Sequence, residues 1–301
     1  MNEENLVSIQ EAKSCFRTLS LALLAMTLCP IVIQLLIGIV ASVLYVLGLD
    51  LLSNPWFVWA VSSLPMYVVG VPIYLLIIRP LPIHPQSQNK LPVSRFLVLL
   101  LICFPVTYLG NLIGTLLSAV LSGGTAQNSI ETYLTNGGPL ALFTTIIVAP
   151  VVEEYVFRKQ LLDRCGCYGE KTAMVFSALA FGLFHMNFYQ FFYAFGVGLI
   201  LAYVYLRTRS LRYPVLIHMI INFLGSAVPL FMMSRWIEGY LLVDLGLAVA
   251  GLVAAIVYRK RFSLSPAPCE LPREGRAKTV YGNVGFLLFA LFCGVMFVLA
   301  L

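Results

Sequence analysis

Apolar runs of about 20 residues or more follow one another from Leu19 to the C-terminus with only short polar gaps. One such run crosses the hydrocarbon layer as a single helix, because lipid offers no hydrogen-bond partner for an open backbone. The chain is 60% hydrophobic and 11% charged, whereas soluble domains carry about 25% charged residues. A water-soluble fold of this size could not hide so much apolar surface. The expected fold class is all-α, a polytopic transmembrane helical bundle. About nine spans fit the hydropathy pattern: 19–47, 57–78, 95–122, 139–162, 172–189, 191–206, 213–232, 237–258 and 281–300. Several contain proline (Pro30, Pro65, Pro72, Pro105, Pro150), which a membrane helix tolerates when neighbours satisfy the freed carbonyls.

The basic residues set the orientation. Gaps 48–56 and 123–138 contain none. Arg79, Lys90 and Arg95 fall in one gap, Arg158, Lys159, Arg164 and Lys171 in another, then Arg207, Arg209 and Arg212, and finally Arg259 to Lys278. With nine spans and a cytoplasmic N-terminus, every basic residue but Arg235 lies inside. The net charge of +6 therefore faces anionic lipid headgroups, and nucleic acid is not an expected partner. Residues 1–18 read as a short polar cytoplasmic segment with no cleavage site, so the first span is expected to be retained. The seven cysteines are scattered, mostly in apolar runs, where a thiol behaves as a small hydrophobe. No disulfide is expected. The Pro- and charge-rich stretch within 259–280 reads as a flexible cytoplasmic linker before the last span.

Ionisable groups inside a span are costly and are functional candidates by default. They concentrate in spans four to seven, as Glu153, Glu154 and Arg158, then His185, then His218 and Asn222, with Asp244 following in span eight. Glu154 and Arg158 are four apart and share a helix face, while Glu153 is turned about 100° away. One glutamate is then a working carboxylate and the other its brace. Phe181 and His185 are also four apart, and His218 and Asn222 present an imidazole and an amide to one pocket. Two histidines and a carboxylate could hold zinc or another divalent metal with an open position for water. Without metal, the carboxylate could act as general base, a histidine as acid or base, and the asparagine as oxyanion donor. Both routes hydrolyse a carbonyl substrate. There is no H-E-x-x-H, no G-x-S-x-G, and no aspartyl pair among Asp50, Asp163 and Asp244.

Three motifs, E-E-Y-V-F-R (Glu153–Arg158), F-G-L-F-H (Phe181–His185) and H-M-I-I-N (His218–Asn222), resemble the E-E-x-x-x-R, F-x-x-x-H and H-x-x-x-N/D motifs of the CPBP family. These are the CAAX proteases and bacteriocin-processing enzymes, also called the Abi family, with the Rce1-type prenyl-protein endopeptidases among them. The resemblance covers roughly residues 140–225. It implies Glu153 as the water-activating glutamate, Glu154, Arg158 and Phe181 as supporting residues, and His185, His218 and Asn222 as the rest of the site. Glu153, His185 and His218 would be the ligands of any metal, the family having been described both as metalloproteases and as glutamate proteases. One departure is Lys159, where a glycine often follows the arginine.

The expected organisation is a cytoplasmic segment at 1–18, accessory spans at 19–138, the catalytic core at 139–232, and C-terminal spans at 233–301. The expected function is intramembrane endopeptidase, acting on a membrane-associated peptide or protein. The chain would be a multi-pass protein of a bacterial plasma membrane with its site toward the cytoplasm. A non-catalytic binding or immunity protein, and an ion- or proton-coupled transporter, are the alternatives. One geometric demand follows. His185 lies ~14 residues (~21 Å) into its span and His218 ~6 residues (~9 Å). They meet only if span five starts below the membrane surface or the spans differ in tilt.

Overall fold

The computed structural model describes residues 3–84, 86–231 and 234–301. Met1 and Asn2 of the expected N-terminal segment, and residue 232 at the end of the expected seventh span, lie outside it. Helix α1 runs Glu3–Val46, α2 Pro55–Ile78, α3 Val93–Ser122 and α4 Gly137–Tyr168. They are followed by α5 Glu170–Phe184 and α6 Phe188–Thr208. Helix α7 runs Arg212–Asn222 and continues through a π-helical turn, Phe223–Ala227, to Phe231. Helix α8 is Ser234–Tyr258, α9 Arg276–Tyr281 and α10 Val284–Leu299. The chain is a multi-pass helical membrane protein: six of these helices are long and apolar enough to cross a bilayer. The other expected spans fall on α5, α7 and α10. Helix α5 has only 15 residues, most of them buried by neighbouring helices, so it has little lipid to face.

The helix ends follow local chemistry. Asn54 caps α2, its side chain accepting from the amides of Trp56 and Phe57, with Pro55 at the first helical position. Asn187 caps α6 in the same way through the amide of Gln190. Gly123 ends α3 at φ 63°, a left-handed position that glycine adopts without penalty. Helix α4 is entered through a short lead-in from Ser129 that breaks at Gly138, where φ is 55°.

The chain divides into two compact units. The first contains residues 1–82, 127–152 and 275–292. In it α1 begins well before Leu19, because Ala12, Cys15, Phe16 and Leu19 are buried while Glu11, Lys13 and Arg17 point outward. The segment is polar by composition but amphipathic by period. Trp59 Nε1 donates to Thr144 Oγ1 (3.0 Å), and Ser63 and Tyr133 share a hydroxyl hydrogen bond (2.8 Å).

The second unit contains residues 83–126, 153–274 and 293–301, and holds every candidate site residue. Helices α3 and α6 pack closely where Gly110 and Gly114, four apart, leave no room for a Cβ against the backbone of Tyr193 and Phe188. A core of Leu99, Cys103, Val197, Leu201, Ile217 and Ile221 ties α3, α6 and α7 together. The linker after α8 is bound along its path rather than loose. Phe262 packs edge-on against Tyr203 at 5.5 Å. The amides of Cys269 and Leu271 donate to the carbonyls of Cys167 (2.9 Å) and Tyr168 (3.1 Å). Leu271 is buried.

Candidate active site

The site is built outward from one buried ion pair. Glu154 and Arg158, a turn apart on α4, are both 0% exposed and lie 3.0 Å apart, Nε to Oε2. Their angle falls short of a hydrogen bond, so the contact is one of charge. A buried pair is maintained only when further partners offset its desolvation. Arg158 finds them in Ser177 Oγ, which accepts from Nη1 at 3.2 Å, and in the Phe181 ring, 4.7 Å below the guanidinium. Ser177 in turn donates to the Phe157 carbonyl at 2.7 Å. The remaining Glu154 oxygen accepts from His218 Nδ1 at 3.0 Å. A carboxylate beside an arginine accepts, so His218 Nδ1 is the N–H donor to Glu154. The Nε2 of His218 lies 3.7 Å from Glu153 Oε2, and Glu153 is 18% exposed where Glu154 is sealed. The two adjacent glutamates thus separate by burial.

His185 is fixed in the same manner. Its Nδ1 lies 2.8 Å from the Phe181 carbonyl; a carbonyl only accepts, so Nδ1 donates and Nε2 is the nitrogen left to face the site. The Phe181 ring stands edge-on to both imidazoles, 4.9 Å from His185 and 5.7 Å from His218. Both imidazoles thus flank one ring despite their different distances along their helices. Helix α5 starts at Glu170, among Arg207 and Arg209 at the basic end of the bundle, and its last turn still reaches His218. Asn222 is half-buried one turn beyond His218 on the same face, where α7 widens into its π-helical turn. Helix α4 has a π-helical turn of its own at Tyr155–Gln160, immediately after Glu154. Such turns re-aim side chains and are frequent at functional sites.

Three parts of the site escaped the sequence reading. Ser177 completes a stripe, Ser177–Phe181–His185 at four-residue spacing, that was legible as one face of α5. Met186 adopts φ 53°, a left-handed position uncommon for a non-glycine residue. It turns the chain sharply after His185. Asn187 Nδ2 then donates to the His185 carbonyl (2.7 Å) and to Gln190 Oε1 (2.8 Å), and Gln190 Nε2 donates to Tyr193 Oη (3.1 Å). The Tyr193 ring stands 6.4 Å from that of His185.

Residues 135–224, which contain all three motifs, match the sequence profile of the family described as "Type II CAAX prenyl endopeptidase Rce1-like". This stretch is similar to the CPBP-family proteases. The chain is 34% identical over 91 residues to the membrane-embedded CAAX protease MroQ of Staphylococcus aureus (strain USA300), covering 28% of this chain and 37% of that protein. It is 31% identical over 88 residues to the putative membrane peptidase YdiL of Bacillus subtilis (strain 168), covering 28% and 35%. The matched segment thus spans little more than a third of either relative. No solved structure matches the chain.

Within the matched stretch, Glu153, His185 and His218 are the residue types that ligate a divalent cation. Their spacing is less apt: among the described residues no three His, Cys, Asp or Glu side chains gather closely enough to hold a metal. Glu153 offers a partly exposed carboxylate beside His218, and Asn222 follows one turn later on α7.

Proposed function

We propose that the chain is an intramembrane endopeptidase in which Glu153 activates water for attack on a peptide carbonyl. The carrying observation is the unequal treatment of the two glutamates. Glu154 is sealed between Arg158 and His218, while Glu153 stays partly open and faces His218 Nε2. Glu153 takes one proton of the water, and His218 Nε2 receives the other hydrogen as a hydrogen bond. The Asn222 amide donates to the tetrahedral oxyanion, and the proton held on Glu153 passes to the leaving amine. The Glu154–Arg158 pair keeps the His218 tautomer that this requires. His185, its Nδ1 tied back to Phe181, aligns the water or the substrate amide through Nε2. A divalent metal, held by Glu153, His185 and His218, would polarise the carbonyl and acidify the water.

The substrate is a membrane-associated peptide or protein. The site opens toward the cytoplasm of a bacterial cell, as the basic residues at that end of the bundle favour. The test is cleavage of a membrane peptide by purified chain in nanodiscs. Glu153→Gln should lower the rate by about 10²–10⁴-fold with an unchanged melting temperature. Cleavage that survives Glu153→Gln and His218→Ala combined ends this reading. Loss of wild-type cleavage on chelation, restored by zinc, assigns the metal route.

A further inference from the structure

A cavity of about 380 Å³ lies in the second unit between α3, the π-helical turn after Asn222, and α8. Its polar lining is Thr107, Tyr108, Asn111 and Thr115 on α3 with Tyr240 and Asp244 on α8. The Tyr240 hydroxyl is already committed to the Leu224 carbonyl at 2.7 Å. The others are not. Thr107 Oγ1 is buried with no partner. Asn111 is exposed and Asp244 half-buried, and among the described residues neither makes a hydrogen bond. Both stand midway along helices that are otherwise apolar, where an unanswered polar group is costly. If these residues were adhesive between helices they would bond one another. The space is far larger than a bare cation needs, and an acyl chain would use none of the polar groups.

An extended polypeptide would use all of them. Thr107, Asn111 and Thr115 recur every four residues, about 6 Å along one face of α3. An extended chain presents the N–H and C=O groups of one edge every second residue, about 6.6 Å. In lipid those groups have no other partner. The apolar wall, which includes Phe104, Ile221 and Leu241, suits its side chains. Leu224 is two residues beyond Asn222, so the cavity adjoins the candidate active site along α7.

We infer that this cavity binds an unwound, extended segment of a membrane-embedded polypeptide, with the α3 stripe and Asp244 pairing its backbone. Naming that polypeptide the substrate rests on the proposed hydrolase reading. The binding itself does not, so it is measured in the Glu153→Gln chain in nanodiscs. The probes are two fluorescent Leu/Ala peptides of about 22 residues, one unbroken and one with a glycine-rich centre that unwinds.

The unwound peptide should bind about tenfold more tightly, the equivalent of one or two intramembrane hydrogen bonds. Asn111→Leu with Thr107→Val should abolish the difference, and Asn111→Gln should keep most of it, with melting temperatures confirming that the variants fold. A photoreactive side chain in place of Leu112 should crosslink the unwound peptide preferentially. Equal binding of the two peptides overturns the inference, and so does a preference that survives loss of the stripe. Sodium-dependent stabilisation lost in Asp244→Asn, with peptide binding untouched, assigns the cavity to a cation instead. Binding without cleavage by wild type would break the hydrolase reading alone, and cleavage without selective binding would break this one alone.

Discussion

Two charged networks lie in the same unit, and they treat their polar capacity in opposite ways. At the basic end, Glu170 pairs with Arg207 and lies 3.4 Å from Arg209, and Arg209 lies 3.9 Å from Asp163. The Ser265 amide donates to Glu170 at 2.6 Å and the Tyr205 hydroxyl to Asp163 at 2.9 Å. Burial pulls the Arg209 guanidinium below its ordinary pKa, and the charges of Glu170 and Asp163 push it back up. Two carboxylates face two guanidiniums, with Lys159 pairing with Asp163 at the exposed border, and the linker seals them. The network around Glu154 instead sets two carboxylates against one guanidinium, Arg158. It leaves Glu153 without a cation at salt-bridge distance of its own among the described residues, 3.7 Å from His218 Nε2. A closed network with a cation for every carboxylate holds structure. An unbalanced one retains capacity for a reacting molecule, and that contrast separates scaffold from candidate chemistry.

The largest test of the contrast is Arg158→Met. It strands the Glu154 carboxylate without its cation and should cost about 3–5 kcal/mol, read as thermal unfolding of the purified chain, with cleavage lost as well. Adding Glu154→Gln removes the stranded charge and should recover much of the stability but not the activity. Equal melting temperatures for the single and double variants would mean that the two side chains do not depend on each other, and the contrast would collapse.

Glu170→Gln probes the closed network. It removes one charge from a partly solvated cluster, so the loss should be smaller, about 1–2 kcal/mol. Its particular signature is release of the linker: protease cutting between Phe262 and Glu274 should accelerate while peptide hydrolysis stays within about twofold, the small change expected away from a catalytic group. A large fall in hydrolysis would show that the basic end participates in chemistry and is more than scaffold.

Much of this was legible in the sequence, for identifiable reasons. Lipid demands long apolar helices, so α1, α2, α3, α4, α6 and α8 announce themselves by composition. Glu153, Glu154, Arg158, His185, His218 and Asn222 stood out because each is expensive where it sits. What stayed hidden depends on pairing across the fold. Residues 9–18 looked polar because their charges were counted, whereas their burial follows the period of Ala12, Cys15 and Phe16. The linker looked loose because proline and charge suggest it, yet its amides at Cys269 and Leu271 are taken by carbonyls a hundred residues earlier in the chain. Ser177 is an ordinary small residue until Arg158 is placed beside it.

The smallest effect sharpens the contrast at its border. Lys159 follows Arg158 directly, yet its side chain is 47% exposed and pairs with Asp163 at 3.3 Å, one turn along. Exposed pairs at this spacing contribute about 0.3–0.5 kcal/mol, and less in salt. Lys159→Ala should therefore lower stability by no more than about 0.5 kcal/mol and leave cleavage unchanged, with the loss shrinking as salt is raised. Lys159→Gly, which installs the residue often found after the arginine in the CPBP motif, adds a backbone cost of roughly 1 kcal/mol that salt should not change. If Lys159→Gly were instead stabilising, the π-helical turn at Tyr155–Gln160 would have to be straining against the lysine. The dividing line between scaffold and site would then move by one residue, into the turn that carries Arg158.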